Sequence, residues 1–198
     1  MVLWFRVRRI DLLLAAIALG ALLLVTPLAA LRAMPSPAGA NVAAACMIAL
    51  LVPMALSGSC SRSDDRVEAV AVRPTRALDF LLVISAIVAS CAVSTLQELI
   101  GLTSVGVVAA RATLAYGGLL LVAQSLSGWR VAAVLPATYL LAVAIAGRGP
   151  DVTHPAWWAW IAAGTGDTGS WLLTGFVDGL GTATYWKRSA RLGNNTPG

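Results

Sequence analysis

SGSCSRSDDRVEAVAVRPTR, residues 57–76, is the one sizeable polar stretch in 198 residues, and apolar runs of membrane-spanning length flank it on both sides. It carries Arg62, Asp64, Asp65, Arg66, Glu68, Arg73 and Arg76. Elsewhere charge is scarce. Hydrophobic residues make up 59% of the chain and charged residues 12%, with a mean hydropathy of +0.82. Soluble domains carry about 25% charged residues. The composition therefore points to an integral membrane protein, and residues 58–76 read as its main cytosolic loop.

Outward from that loop, the apolar runs predict an all-α, polytopic transmembrane bundle in a single membrane domain over 1–198. Six spans are expected, at about 10–31, 39–57, 77–96, 112–126, 131–146 and 170–186. The start MVLWFRVRR imitates a signal peptide, but the apolar run behind it exceeds the usual ~7–15 residues, so an uncleaved first span is expected. Pro27, Pro53 and Pro136 fall inside or near spans. The run LIGLTSVGVVAAR, residues 99–111, closes on Arg111 and falls short of the ~20 residues that cross a bilayer. It reads as an interfacial or re-entrant segment. Gly128, Trp129 and Arg130 read as a tight turn. Residues 147–169 read as a loop whose Trp157, Trp158 and Trp160 suit a membrane interface. The tail from Lys187 reads as frayed.

Basic residues decide the orientation. Eleven Lys and Arg lie on the side of the amino terminus, the 58–76 loop, Arg130 and the tail. Three, Arg32, Arg111 and Arg148, lie on the other. That asymmetry places both termini in the cytoplasm and the chain in the cell (inner) membrane. It also accounts for the net charge of +5 without nucleic acid, because no basic patch is interleaved with stacking aromatics. The single histidine, His154, and three cysteines without CxxC spacing leave no zinc set. Cys46 and Cys91 lie in apolar runs and Cys60 in the polar loop, and all three read as free thiols. No metal or cofactor is expected. No Ser-His-Asp set, phosphate-binding loop or paired-carboxylate motif appears, so no catalytic residue is assigned and the chain does not read as an enzyme.

Asp178 is the sharpest single residue. It lies in the last apolar run, and at helical spacing Trp171, Thr174, Asp178, Thr182 and Tyr185 share its face. A carboxylate at bilayer depth usually faces a bundle interior or a watery cavity. Asp178, Thr174, Thr182 and Tyr185 are therefore substrate or pathway candidates, with an interhelical hydrogen bond as the competing role. Beside them Gly175, Gly179 and Ala183 form a small-residue stripe suited to close helix packing. Gln97, Glu98 and Arg111 read as helix-end caps or the rim of an entrance, and Gln124 as an interhelical contact. In the polar loop, Arg62, Asp64, Asp65, Arg66 and Glu68 are partner-docking candidates, on a short helix that Ser63 would cap.

The run LQELIGLTSVGVVAARATL, then SGWRVAAVLPATY, then HPAWWAWIAAGTGD and a Gly-rich last span, resembles small six-span actinobacterial membrane proteins that occur with ABC-type ATPases. Gln97-Glu98 stands where that pattern has a basic-amide pair. The resemblance implies a membrane subunit of an ABC-type exporter or immunity pump, embedded in the lipid bilayer beside other membrane subunits and a cytosolic ATPase. A non-transport scaffold or regulatory subunit, a substrate-capturing component of an importer, and an intramembrane enzyme are the alternatives.

Overall fold

The computed structural model describes residues 10–26, 37–61, 75–147 and 156–193. These residues form helices joined by turns, with no strand among them. In chain order they are α1 (Ile10–Val25), α2 (Pro37–Ala49), α3 (Leu51–Cys60), α4 (Thr75–Leu99), α5 (Gly106–Ser127), α6 (Trp129–Ala132), α7 (Val134–Ala146), a 3-10 turn (Trp160–Ala162) and α8 (Thr168–Gly193). Four segments are long and apolar enough to cross a membrane: Asn41–Cys60, Leu78–Leu99, Gly106–Ser127 and Trp129–Ala146. The apolar helix α1 is 16 residues long, shorter than that length, and α8 is diluted by Asp178, threonines and glycines. The docking candidates Arg62, Asp64, Asp65, Arg66 and Glu68, like His154 and Pro27, lie outside the described residues.

Two of these segments break for one reason. Proline has no N–H to give the carbonyl four residues back, and its ring crowds that carbonyl. Pro53 thus separates α2 from α3 at Leu50, and Pro136 separates α6 from α7 at Ala133. Both breaks fall three residues before the proline. The chain resumes through Met54 N–H to Leu50 O, 3.2 Å, and Ala137 N–H to Ala133 O, 3.2 Å.

Helix α5 is the central post. Fourteen of its 22 residues are buried, on every side of the helix. Helices α2, α3, α4, α6, α7, α8 and the 3-10 turn all pack on it, while α1 lies outside, against α2, α3 and α4. Its amino-terminal half, with Val108, Ala112 and Tyr116, shares a core with Cys46, Leu50 and Ile161. Its carboxy-terminal half, with Leu120 and Leu121, shares another with Leu13, Leu56, Val83 and Tyr185. The outward faces are apolar too. Leu14, Leu22, Leu81, Val88, Leu141, Ile145, Leu172 and Phe176 are exposed, as lipid-facing side chains are in a bilayer protein.

Glycines let the neighbours close on this post. Side chains added at Gly106 and Gly117 would strike the Ser94 carbonyl and Ile87 of α4. These two glycines lie about three helical turns apart, on one face. Gly118 faces the other way. A methyl group there would lie 2.9 Å from both Cα and N of Asp178, and one at Gly181 would lie 2.5 Å from the Gly118 carbonyl oxygen. The backbones of α5 and α8 therefore touch at Gly118–Gly181, a small-residue crossing of the kind that replaces hydrophobic burial inside a membrane.

Several boundaries differ from the sequence reading. Residues 99–111 are not a re-entrant segment. Helix α4 runs on through Gln97 and Glu98 to Leu99, and α5 starts at Gly106, six residues before the expected start of span 4 at 112. A tight turn joins them. Gly101, at φ +76°, ends α4 with Leu102 N–H to Gln97 O, 2.8 Å, and Gly101 N–H to Glu98 O, 3.0 Å. Ser57–Cys60 is helical, with Ser57, Ser59 and Cys60 buried, so Cys60 belongs to the bundle and not to the polar loop. Gly128 alone, at φ +81°, makes the turn after α5, and Trp129 and Arg130 are already helical. The segment expected to fray after Lys187 continues α8 to Gly193.

The crossing yields a test. Gly118→Val overpacks the α5–α8 contact, a cost of about 1–3 kcal/mol, and should lower the thermal unfolding midpoint by several degrees. Gly179→Val adds a side chain where nothing lies within 4 Å and should leave the midpoint of the isolated chain within about 1 °C. Equal shifts in detergent-solubilised protein would contradict the assigned packing.

Candidate functional site

The polar groups of the bundle fall into three places: the amino-terminal end of α5, the α5–α8 seam, and the carboxy-terminal end of α5. At the first, Arg111 is the deciding residue. It is 0% exposed. Its Nη1 donates to Gly164 O at 2.9 Å and to Ser170 Oγ at 2.5 Å, and its Nη2 donates to Ile161 O at 3.3 Å and to Ala163 O. The Trp171 ring lies over it, 5.7 Å from Cζ to the centroid, within cation–π range.

Leaving a buried charge without partners costs about 3–5 kcal/mol. Hydrogen bonds to a charged group are worth about 1.5–3 kcal/mol each, so the four here offset that cost. Three of the acceptors are carbonyls of the 3-10 turn and the irregular segment behind it, and the fourth is the Ser170 hydroxyl in the first turn of α8. Neighbouring bonds hold the same segment: Tyr139 Oη–H to Trp158 O at 2.8 Å, and Trp171 Nε1–H to Thr165 O at 3.1 Å. Asp167 Oδ1 then accepts from Gly169 N–H at 3.1 Å and starts α8. The tryptophan segment thus contributes to the core as well as to the surface: Ile161 is buried, whereas Trp157 is exposed.

Glu98 serves the same end of α5. Its Oε2 accepts from Val107 N–H at 2.6 Å, placing a carboxylate at the positive end of the helix dipole. At the other end Arg188 Nη1 donates to Gln124 O at 3.0 Å and Ser125 O at 2.5 Å, a cation on the last carbonyls. Gln97 Nε2 donates to Ala21 O at 3.0 Å and ties α4 to α1. Glu98 is therefore a helix cap, and Gln97 and Arg111 are ties between segments. Gln124 meets α8 through its backbone carbonyl, whereas its side-chain Oε1, expected to make an interhelical contact, is buried with no hydrogen-bond partner among the described residues.

Along α8 the face singled out in the sequence is the one that packs on α5. Thr174 and Tyr185 are buried, and Asp178 and Thr182 are half-buried. They form a seam and not a converged site, since Thr174 and Tyr185 lie about 17 Å apart along the axis. The Thr174 hydroxyl is committed to Ser170 O at 2.8 Å within its own helix. Tyr185 stacks on Phe80 at 5.3 Å and approaches Trp129 at 6.4 Å. Asp178 sits at the Gly118 contact, where the helices are closest. Gly175, Gly179 and Ala183 lie on the opposite, exposed face, and nothing comes within 4 Å of where a side chain would start at either glycine. Among the described residues nothing packs on their stripe; the close crossing belongs to Gly118 and Gly181.

The sequence reading missed Asp79, which is 2% exposed beside the Phe80–Tyr185 stack. The signal available was an acidic residue in the first turns of an apolar helix, a position equally suited to dipole compensation at a surface. It also missed Ser57, whose hydroxyl donates to Trp129 O at 2.6 Å and fixes α3 to α6. Among the described residues no group of His, Cys, Asp or Glu could hold a metal ion, and no disulfide joins Cys46, Cys60 and Cys91.

Arg111→Ala takes a donor from Ile161 O, Ala163 O, Gly164 O and Ser170 Oγ and opens a cavity in the bundle, and should cost about 3–5 kcal/mol. Arg111→Lys restores the charge but not the fork that serves both sets of acceptors, and should recover less than half of that. Thermal unfolding read by tryptophan fluorescence checks both. Full rescue by lysine would show that charge alone matters at this position.

Compared with known proteins, the chain matches no family model, no curated protein and no solved structure, so the roles described above rest on its own residues.

Proposed function

We propose that this chain is a six-span subunit of the cell (inner) membrane, with both termini in the cytoplasm, that serves as the membrane component of an ATPase-driven transporter. The observation that carries the reading is the division of α8 into two faces. One face, with Thr174, Asp178, Gly181 and Tyr185, closes on α5. The other, with Gly175, Gly179 and Ala183 among Leu172, Phe176 and Leu180, is open and apolar. A helix whose polar side is shielded by its own bundle and whose free side is apolar and narrow can lie in a bilayer beside another subunit. It supplies the sixth span, and the apolar run that begins with α1 supplies the first. The basic residues, eleven on one side and three on the other, support the orientation.

The polar groups support a non-catalytic subunit over an enzyme. Arg111, Glu98, Gln97, Arg188 and Thr174 have structural partners; Asp178, which also meets the Gly118 backbone, and Thr182 are the pathway candidates on the seam. The loop bearing Arg62, Asp64, Asp65, Arg66 and Glu68 is the docking candidate for the ATPase. A scaffold or regulatory subunit is the second reading. It is favoured by the position of Asp178 at the tightest helix contact, where a role in packing suffices.

Affinity purification from native membrane, with every co-purifying chain identified, tests the reading. Recovery of an ATPase is expected. Arg62→Glu with Arg66→Glu should reduce that recovery several-fold at unchanged expression. Partners that include no ATPase would favour the scaffold. Orientation is tested by thiol labelling of sealed cells. Asp151→Cys should react with an impermeant reagent and Arg66→Cys should not; Cys60 is buried and will not interfere. The reverse pattern would invert the topology.

A further inference from the structure

Between α1, the α2–α3 break, α4 and α5 lies a crevice lined by Gly20, Ala49, Ser90, Ser94, Ala109 and Thr113 among apolar neighbours. Its free space is about 10 Å³, at the threshold of ~10–15 Å³ that admits one water molecule. It is well enclosed. Ala49 is 4% exposed, Ser90 8%, Ser94 5% and Thr113 2%. It is also unusually polar for its depth, since three hydroxyls from two helices border it. The Thr113 hydroxyl donates to Ala109 O at 2.9 Å and keeps its lone pairs. Ala49 borders the crevice too, and its backbone carbonyl offers a fourth oxygen. Its regular helical donor would be the N–H of residue 53, and residue 53 is a proline.

We infer that this crevice is a binding site for a single ordered water, which hydrates the Ala49 carbonyl stripped by Pro53 and bridges it to the serines of α4. A buried water needs two to four polar partners, and the lining offers up to four neutral oxygens in a space of one water's size. Backbone groups freed by proline inside a membrane helix must be satisfied again, and ordered water with serine or threonine is one of the known means. The site therefore explains why Ser90 and Ser94, one turn apart on α4, are buried against the broken helix. It makes the α2–α3 break a hydrated joint held by α4, independent of what the protein transports or scaffolds.

A thermal double-mutant cycle on the full chain in lipid nanodiscs tests this. Ser90→Ala with Ser94→Ala should lower the unfolding midpoint by about 3 °C in the natural background. Pro53→Ala restores the N–H for Ala49, so the same serine changes should then cost less than about 1 °C. Equal losses in the two backgrounds, or none in either, would overturn the proposal. If Pro53→Ala does not fold, a high-resolution structure of the unaltered protein decides: a water within hydrogen-bonding distance of Ala49 O and a serine hydroxyl supports the site, and a dry crevice overturns it. The midpoint should be unchanged when sodium replaces choline in the buffer. Sodium stabilisation that disappears with the serines would overturn the water in favour of a cation.

Discussion

A guanidinium enclosed in an apolar bundle sets the terms for much of this structure. Arg111 is fully buried, and its four hydrogen bonds run to Ile161, Ala163, Gly164 and Ser170. Regular helices cannot provide such acceptors, because their interior carbonyls already serve the backbone. Only an irregular segment can turn several carbonyls toward one point. The 3-10 turn and the bends after it are therefore the complement of Arg111, and the start of α8 is placed by the same contact through Ser170. One side chain thus joins the post of the bundle to its last helix, across a segment that would otherwise expose unpaired backbone to an apolar surround.

The same requirement recurs wherever a helix ends or breaks. The ends of α5 are each met by an opposite charge from a neighbour, Glu98 on its first turn and Arg188 on its last carbonyls. Helix α4 ends in a glycine turn that consumes its own carbonyls. The two prolines take away the regular helical donors of the Ala49 and Ala132 carbonyls, and beside Ala49 the crevice carries Ser90 and Ser94. Between these points, packing depends on small residues. Gly106 and Gly117 admit α4, and Gly118 with Gly181 admits α8. In water such contacts would bury little apolar area. In a bilayer, close van der Waals approach of backbones is the main attraction available.

These assignments narrow what the polar residues are free to do. Those at the helix ends hold the bundle together, and the seam of α8 is occupied by its own packing. Among the described residues, the face of α8 with Gly175, Gly179 and Ala183 is the one that packing leaves open.

Composition and apolar run length were enough to read an all-helical fold with segments suited to a bilayer, because both depend only on local sequence. The α8 face carrying Thr174, Asp178 and Tyr185 was legible for the same reason, since helical spacing alone places residues on a face. The breaks at Pro53 and Pro136 are local consequences too. Arg111 was not legible. A cation at the end of a short apolar run looks like a boundary, and only the fold brings it the carbonyls of residues 50 positions away. The partner of the small-residue stripe was not legible for a related reason. Gly175 and Gly179 have the spacing of a packing face, yet the sequence does not say which face of α8 meets α5. That was decided by Gly118, whose missing side chain makes room for the backbone at Asp178. Which polar groups are satisfied, and by what, depends on contacts between distant segments, and so only the tertiary structure could decide it.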